Sequence, residues 1–197
     1  MIAAAILAAG SARRMRGADK LLEPVGGQPV LRRLAQAAAA AGGPVAVTLR
    51  APDPDRTAAL DGLDVVLLPV PDAAEGMAAS IRAAAAWARR IGAQGLILCP
   101  GALPELGPGG FAALADAFDP AGPPLRAADA QGTPGHPVAF PARLLGELAQ
   151  VTGDQGARAV LAAHPARLIL RPGPGPTLDL DTPEAWAAWR GHDRSRP

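Results

Sequence analysis

The residues best suited to chemistry gather in the first two dozen positions, MIAAAILAAGSARRMRGADKLLEP. An apolar run from Ile2 to Ala8, taking in Leu7, continues through Ala9 to Gly10. The loop after it carries Ser11, Arg13, Arg14, Arg16, Gly17 and Lys20 before Leu21 and Leu22 restore apolar character. A buried strand opening into a glycine-containing, cation-rich loop suits phosphate. Backbone N–H groups can crowd an anion where no side chain intervenes, and Arg adds forked donors while Lys adds a mobile point charge. The loop reads as a nucleoside triphosphate site, with an ordinary surface connection of an α/β protein as the alternative. It is neither a Walker A loop nor a GxGxxG turn.

Other polar residues stand at the boundaries of predicted elements. Glu75, Gly76 and Met77 open an alanine-rich helix, with Ser80 one turn further in. Gly135, His136 and Pro137 begin a predicted strand, Asp154 lies between two predicted helices with Gly156 and Arg158 at the start of the second, and Asp179 and Asp181 precede the last one. Taken singly, each has a plain structural reading. A histidine before proline is commonly structural, and Asp154 and Asp181 suit helix N-caps.

These positions need a frame to bring them together. Apolar periodicity and breakers predict strands over 2–8, 44–49, 65–68 and 95–99, alternating with helices over 29–41, 52–60, 77–90 and 111–118. Beyond them come strands over 125–128, 136–140, 168–170 and 177–180, and helices over 142–149, 155–163 and from 183. Strand–helix alternation predicts an α/β chain: a Rossmann-like three-layer α/β/α sandwich with a mostly parallel sheet. Residues 1–190 are expected to form one domain, with 191–197 as a polar tail. The carboxyl edge of such a sheet is where ligands bind, and the loops after Ala8, Leu68 and Cys99 fall there.

Composition narrows the class. Hydrophobic residues make up 49%, which excludes a disordered chain, and aromatics only 3%, so the core must be aliphatic. A net charge of +1 with dispersed basic residues gives no nucleic-acid footprint. The single cysteine, Cys99, excludes a disulfide framework or a cysteine-based zinc site. No apolar run approaches a bilayer span, and no positive segment precedes the first one, so the expectation is a cytoplasmic protein without membrane partners.

LAAGSARRMRGADKLL resembles the LAAGxSxRMGxxK signature of the MobA-like nucleotidyltransferases, the molybdenum cofactor cytidylyltransferases in particular. EGMAASIR, GTPGHPVAF, TGDQGAR and LDLDTPEAW are similar to that family's GMxxSI, GxPxHPV, GDxGAR and DIDTPED motifs, in the same order along nearly the whole chain. The resemblance implies a sheet of the nucleotide-diphospho-sugar transferase type. It also implies transfer of CMP from CTP to the terminal phosphate of molybdenum-molybdopterin, with release of pyrophosphate. Leu7, Ala8, Ala9, Gly10, Ser11, Arg13, Arg14, Lys20, Glu75, Gly76, Met77 and Ser80 would then bind nucleotide. Gly135, His136, Pro137, Asp154, Gly156 and Arg158 would bind the acceptor, and Arg14, Lys20 and Asp181 would act in catalysis. Alanine at position 9, where guanylyltransferase relatives carry glycine, implies CTP.

One departure stands out. Where the family carries a metal-binding Asp after the fourth strand, this chain reads CPGALP, with Ala102 in its place. Asp179 and Asp181 remain as ligands for Mg²⁺. The alternatives are a catalytically weakened relative that binds nucleotide or molybdenum cofactor for delivery, to a molybdoenzyme or its maturation chaperone, an altered version of an active parent, or a nucleotidyltransferase with another phosphate acceptor such as a sugar phosphate.

Overall fold

In a computed structural model, residues 1–11, 13–173 and 175–193 are described, with Arg13, His192 and Asp193 as backbone only. The expected tail thus lies outside the described residues from position 194 onward. The chain begins with strand β1 (Ile2–Leu7), a 3-10 turn at Arg13–Met15, and a small hairpin of β2 (Pro24–Val25) and β3 (Gln28–Pro29). Then come α1 (Val30–Ala39), β4 (Val45–Leu49), α2 (Pro54–Ala59), β5 (Val66–Pro69), α3 (Met77–Arg90), β6 (Gly95–Pro100) and α4 (Pro108–Asp116). The second half holds β7 (Leu125–Ala128), β8 (Pro134–Pro141), α5 (Leu145–Leu148), α6 (Arg158–Ala163), β9 (Arg167–Leu170) and α7 (Pro183–Asp193).

Seven strands form the central sheet in the order β5-β4-β1-β6-β8-β7-β9. All neighbours pair in parallel except β8, which runs antiparallel to both β6 and β7. The mostly parallel sandwich expected from the sequence is the one observed. β1 lies between β4 and β6, and its small side chains are buried on both faces. Ala4 and Ile6 join a core with α1, α4 and Trp186 of α7, while Ala3 and Ala5 join one with α3 and α5. Burial on both faces is why the strand reads as an unbroken apolar run rather than an alternation.

One expectation fails and one element is new. Residues 177–180 form no strand: Lys20 binds Asp179 and Asp181 on the far side of Leu180, and the Trp186 indole N–H donates to the Leu180 carbonyl at 3.1 Å. Side-chain contacts and a helix anchor set this segment, and its short apolar pattern does not. The β2–β3 hairpin is unforeseen, and its turn is Gly26-Gly27, both at positive φ, where glycine avoids the Cβ clash. Among the described residues no helix is long and apolar enough to cross a membrane.

Candidate functional site

The carboxyl ends of β1 and β6 meet where Leu7 pairs with Pro100, and the Gly101 N–H donates to the Leu7 carbonyl at 3.1 Å. Because β8 is antiparallel, its first residues reach the same edge: Val138 pairs with Leu98, and His136 lies two positions nearer that edge. A cleft of about 690 Å³ opens there. Leu7, Gly10, Ser11 and Lys20 line one wall, Gly76, Met77 and Ser80 another, and Gly135, His136, Asp154 and Asp179 the rest. A cavity of about 190 Å³ adjoins it, lined by Gly156 and Arg158 among others.

The glycine loop is held from beneath by a residue the sequence did not single out. Arg56, only 3% exposed on α2, donates to the Ala8 carbonyl at 2.5 Å and the Gly10 carbonyl at 3.0 Å. Its other nitrogens grip the Asp19 carboxylate at 2.6 and 3.0 Å. One buried guanidinium thus ties the end of β1 to the residue next to Lys20. Nothing in DPDRTAA hints at this, since the tie is made across about forty residues of chain. The Ala8 N–H donates to the Thr48 hydroxyl oxygen at 3.1 Å. Ala9 is buried against Val70 and Ala79, so its methyl sets the packing of α3 on β1 and does not form the cleft wall.

Lys20 is engaged by carboxylates, Asp181 at 2.5 Å and Asp179 at 3.4 Å. Arg14 reaches the same Asp181 at 2.6 Å. The Arg13 side chain lies outside the described residues. Burial raises the Asp179 carboxyl above its ordinary range, with Lys20 opposing that rise. Trp186 and Trp189 of α7 anchor this acidic segment: the rings meet edge to face at 5.7 Å, and the Trp189 N–H donates to Glu105 at 2.9 Å.

Glu75 stands apart from the cleft. Its carboxylate is held by Arg82 at 2.5 Å, and that bond lowers its pKa. Pro137 is buried within β8. His136 keeps a buried Nδ1 without a partner among the described residues, and burial together with the Arg126 charge pushes its pKa down to about 4. Arg126, on β7, was also missed by sequence reasoning, although an arginine inside an otherwise apolar strand is a signal that finds it.

A divalent cation at phosphates takes one or two carboxylates from the protein and the remaining oxygens from substrate and water. Asp179 and Asp181, converging on one lysine, are such a pair and fit that donor set. Ala102, 2% exposed on the cleft wall, contributes no ligand. Its neighbour Gly101 is packed against Leu21 and the Leu7 carbonyl, so a larger side chain at position 101 would have to displace them. Among the described residues no group of three metal-ligating side chains occurs.

No curated protein matches the chain. Among solved structures, Rv0371c from Mycobacterium tuberculosis is 33% identical over 95% of this chain and 97% of its own, with a TM-score of 0.78. A structure of Rv0371C in complex with manganese matches at 31% identity over 95% and 96%, with a TM-score of 0.74. A nucleotidyl transferase from Methanothermobacter shares the fold at 23% identity, over 100% of this chain and 99% of its own, with a TM-score of 0.79. The family model described as the MobA-like NTP transferase domain matches residues 4–168, and the chain is a nucleotidyltransferase belonging to that family.

Proposed function

We propose that this chain, through one nucleotidyltransferase domain over residues 1–190, transfers CMP from CTP to the terminal phosphate of molybdenum-molybdopterin. The observation that carries the reading is the meeting of motif-bearing residues, Gly10 and Lys20, Gly76 and Ser80, and Gly135, His136 and Asp154, around one cleft of about 690 Å³. Lys20 and Arg14 hold the triphosphate, the N–H groups of Gly10 and Ser11 face its oxygens, and the start of α3 borders the base. His136, Asp154 and Arg158 receive the acceptor. The choice of CTP follows from alanine at position 9, where the guanylyltransferase relatives carry glycine; its methyl sets the packing of α3 on β1.

In the reaction an acceptor phosphate oxygen attacks the α-phosphorus, the bond to the β-phosphate oxygen breaks, and pyrophosphate carries away the electron pair. The protein's contribution is alignment of two anions and neutralisation of their charge. Asp179 and Asp181 would hold Mg²⁺, which when bound supplies charge stabilisation at the phosphates. For these carboxylates to be free, Lys20 must exchange them for phosphate oxygens. Arg14 accompanies Lys20 in that exchange.

Ala102 favours a second reading, a relative that binds nucleotide or cofactor and delivers it, in the cytoplasm, to a molybdoenzyme or its maturation chaperone. Incubation with CTP, Mg²⁺ and molybdenum cofactor, following pyrophosphate, separates the two. Cofactor-dependent release supports the transferase. CTP binding without release supports delivery, and GTP binding as tight as CTP overturns the base assignment.

A further inference from the structure

The segment EGMAASIR ends on Arg82, in the second turn of α3, behind the cleft wall rather than on it. Its guanidinium joins three segments. Nη1 donates to Glu75 Oε1 at 2.7 Å and to the Val151 carbonyl at 3.0 Å. Nη2 donates to Glu75 Oε2 at 2.5 Å and to Asp72 Oδ2 at 2.6 Å. The Glu75 carboxylate in turn accepts the Gly153 N–H. One side chain therefore holds the residues leading into α3 and a loop 69 positions further along the chain.

Folding stability does not account for this arrangement. The Arg82 side chain is 25% exposed, Glu75 38% and Asp72 54%. Ion pairs so exposed contribute little, because solvent screens them and long side chains lose freedom in making them. What the fork adds is geometry: two parallel N–H···O bonds fix an orientation that a single contact leaves free. The residues next to each tied point line the cleft, Gly76 and Met77 after Glu75 and Asp154 after Gly153.

We propose that Arg82 is a positioning residue for nucleotidyl transfer. By locking the start of α3 onto the 151–153 loop, it sets the wall against which the nucleoside part of the triphosphate packs. The loop that holds the phosphates is positioned separately, by Arg56. The proposal rests on the nucleotidyl-transfer reading and adds that nucleoside and phosphates are aligned by two different arginines, neither of which touches the ligand.

The test is calorimetry of α,β-methylene CTP and of tripolyphosphate, each with Mg²⁺, against the full chain and its variants. In Arg82→Gln the analogue should bind roughly tenfold more weakly, the equivalent of about 1.4 kcal/mol, while tripolyphosphate binds as before. Arg82→Lys keeps the charge without the fork and should recover part of the loss. Glu75→Ala leaves Arg82 on Asp72 and Val151 but cuts the link to Gly153. It should repeat the pattern, and it replaces Arg82→Gln if thermal melts show that variant unfolded. Equal weakening of both ligands, or unchanged affinity for the analogue whatever the melting temperature, overturns the proposal. An unaltered chain that binds the analogue no more tightly than tripolyphosphate instead strikes the nucleotidyl-transfer reading. Amide exchange of the ligand-free chain then decides the tie. The Ala78 and Gly153 N–H groups, one in each joined segment, should lose protection together in Arg82→Gln, and retained protection overturns it.

Discussion

Gly76 and Asp154 touch face to face: any Cβ at position 76 would overlap the Asp154 carboxylate. Gly76 has φ +115°, a conformation that side chains rarely adopt, and the next helical turn is tied to the same loop by the Ala78 N–H, which donates to the Gly153 carbonyl at 3.2 Å. The GMxxSI-like and GDxGAR-like segments are therefore one joint. Gly76→Ala should cost roughly 1–3 kcal/mol through backbone strain and weaken CTP binding by shifting the start of α3 away from Asp154. A melting temperature and CTP affinity equal to those of the unaltered chain would refute the joint.

Arg56 is the keystone beneath the glycine loop. Arg56→Ala strands the Asp19 carboxylate and two carbonyls, and breaking such a buried pair costs roughly 3–5 kcal/mol. Arg56→Lys keeps the charge and loses the fork, so it should fall between. Chemical denaturation ranks the three forms. CTP affinity should follow the same order, and an affinity independent of Arg56 would show that the loop holds its shape without the tie.

Lys20→Ala removes a charged donor from the triphosphate wall. The expected loss in CTP binding is roughly 1.5–3 kcal/mol, the range for hydrogen bonds to charged groups. The Asp179–Asp181 pair loses Lys20 in the same variant, and among the described residues only Arg14 remains on Asp181. Mg²⁺ affinity in the absence of nucleotide should therefore rise while CTP affinity falls, and calorimetry that shows both falling counts against the exchange of ligands at Lys20.

Ala102→Asp adds an oxygen donor on the cleft wall. It should tighten Mg²⁺ binding in the CTP complex and speed pyrophosphate release at least tenfold, which takes about 1.4 kcal/mol of transition-state stabilisation. If the unaltered chain turns over well and the variant adds nothing, Asp179 and Asp181 suffice. If neither turns over, delivery is the function.

His136 gives the fold a pH dependence. Its folded pKa of about 4 lies below the ordinary 6.5, so the unfolded chain binds the proton more readily. The contribution of neutral His136 is complete above pH 6.5 and is lost as pH falls from 6.5 toward 4, at up to ~1.4 kcal/mol per unit. His136→Gln should flatten that slope in denaturation curves recorded from pH 7 to 4.5. An unchanged slope assigns the loss to other groups.

The central strands and α3 were legible because their signals are local. The Ile2–Leu7 run is apolar on both faces, and Met77–Arg90 begins after a Gly and continues in alanine. The loop, the start of α3 and the Asp154 segment could be named from motif spacing. Arg126 was passed over although an arginine in an apolar strand marks it, whereas Arg56 could not be named, because its role comes from carbonyls supplied by a strand far away in the chain. Segment 177–180 misled for the same reason: Leu178 and Leu180 alternate like a strand, yet Trp186, the hydrogen-bond partner of Leu180, lies beyond the pattern and decides the backbone.

The reversed direction of β8 has an evolutionary consequence. Under the proposed assignment, β1 and β6 border the nucleotide half of the cleft at their carboxyl ends, while β8 borders the acceptor half at its beginning, immediately after the turn at 129–133. That turn can lengthen or shorten without shifting the register of β1, β4 or β6. Acceptor preference can therefore diverge among descendants by turnover of one surface loop, with the apparatus for the nucleotide inherited intact.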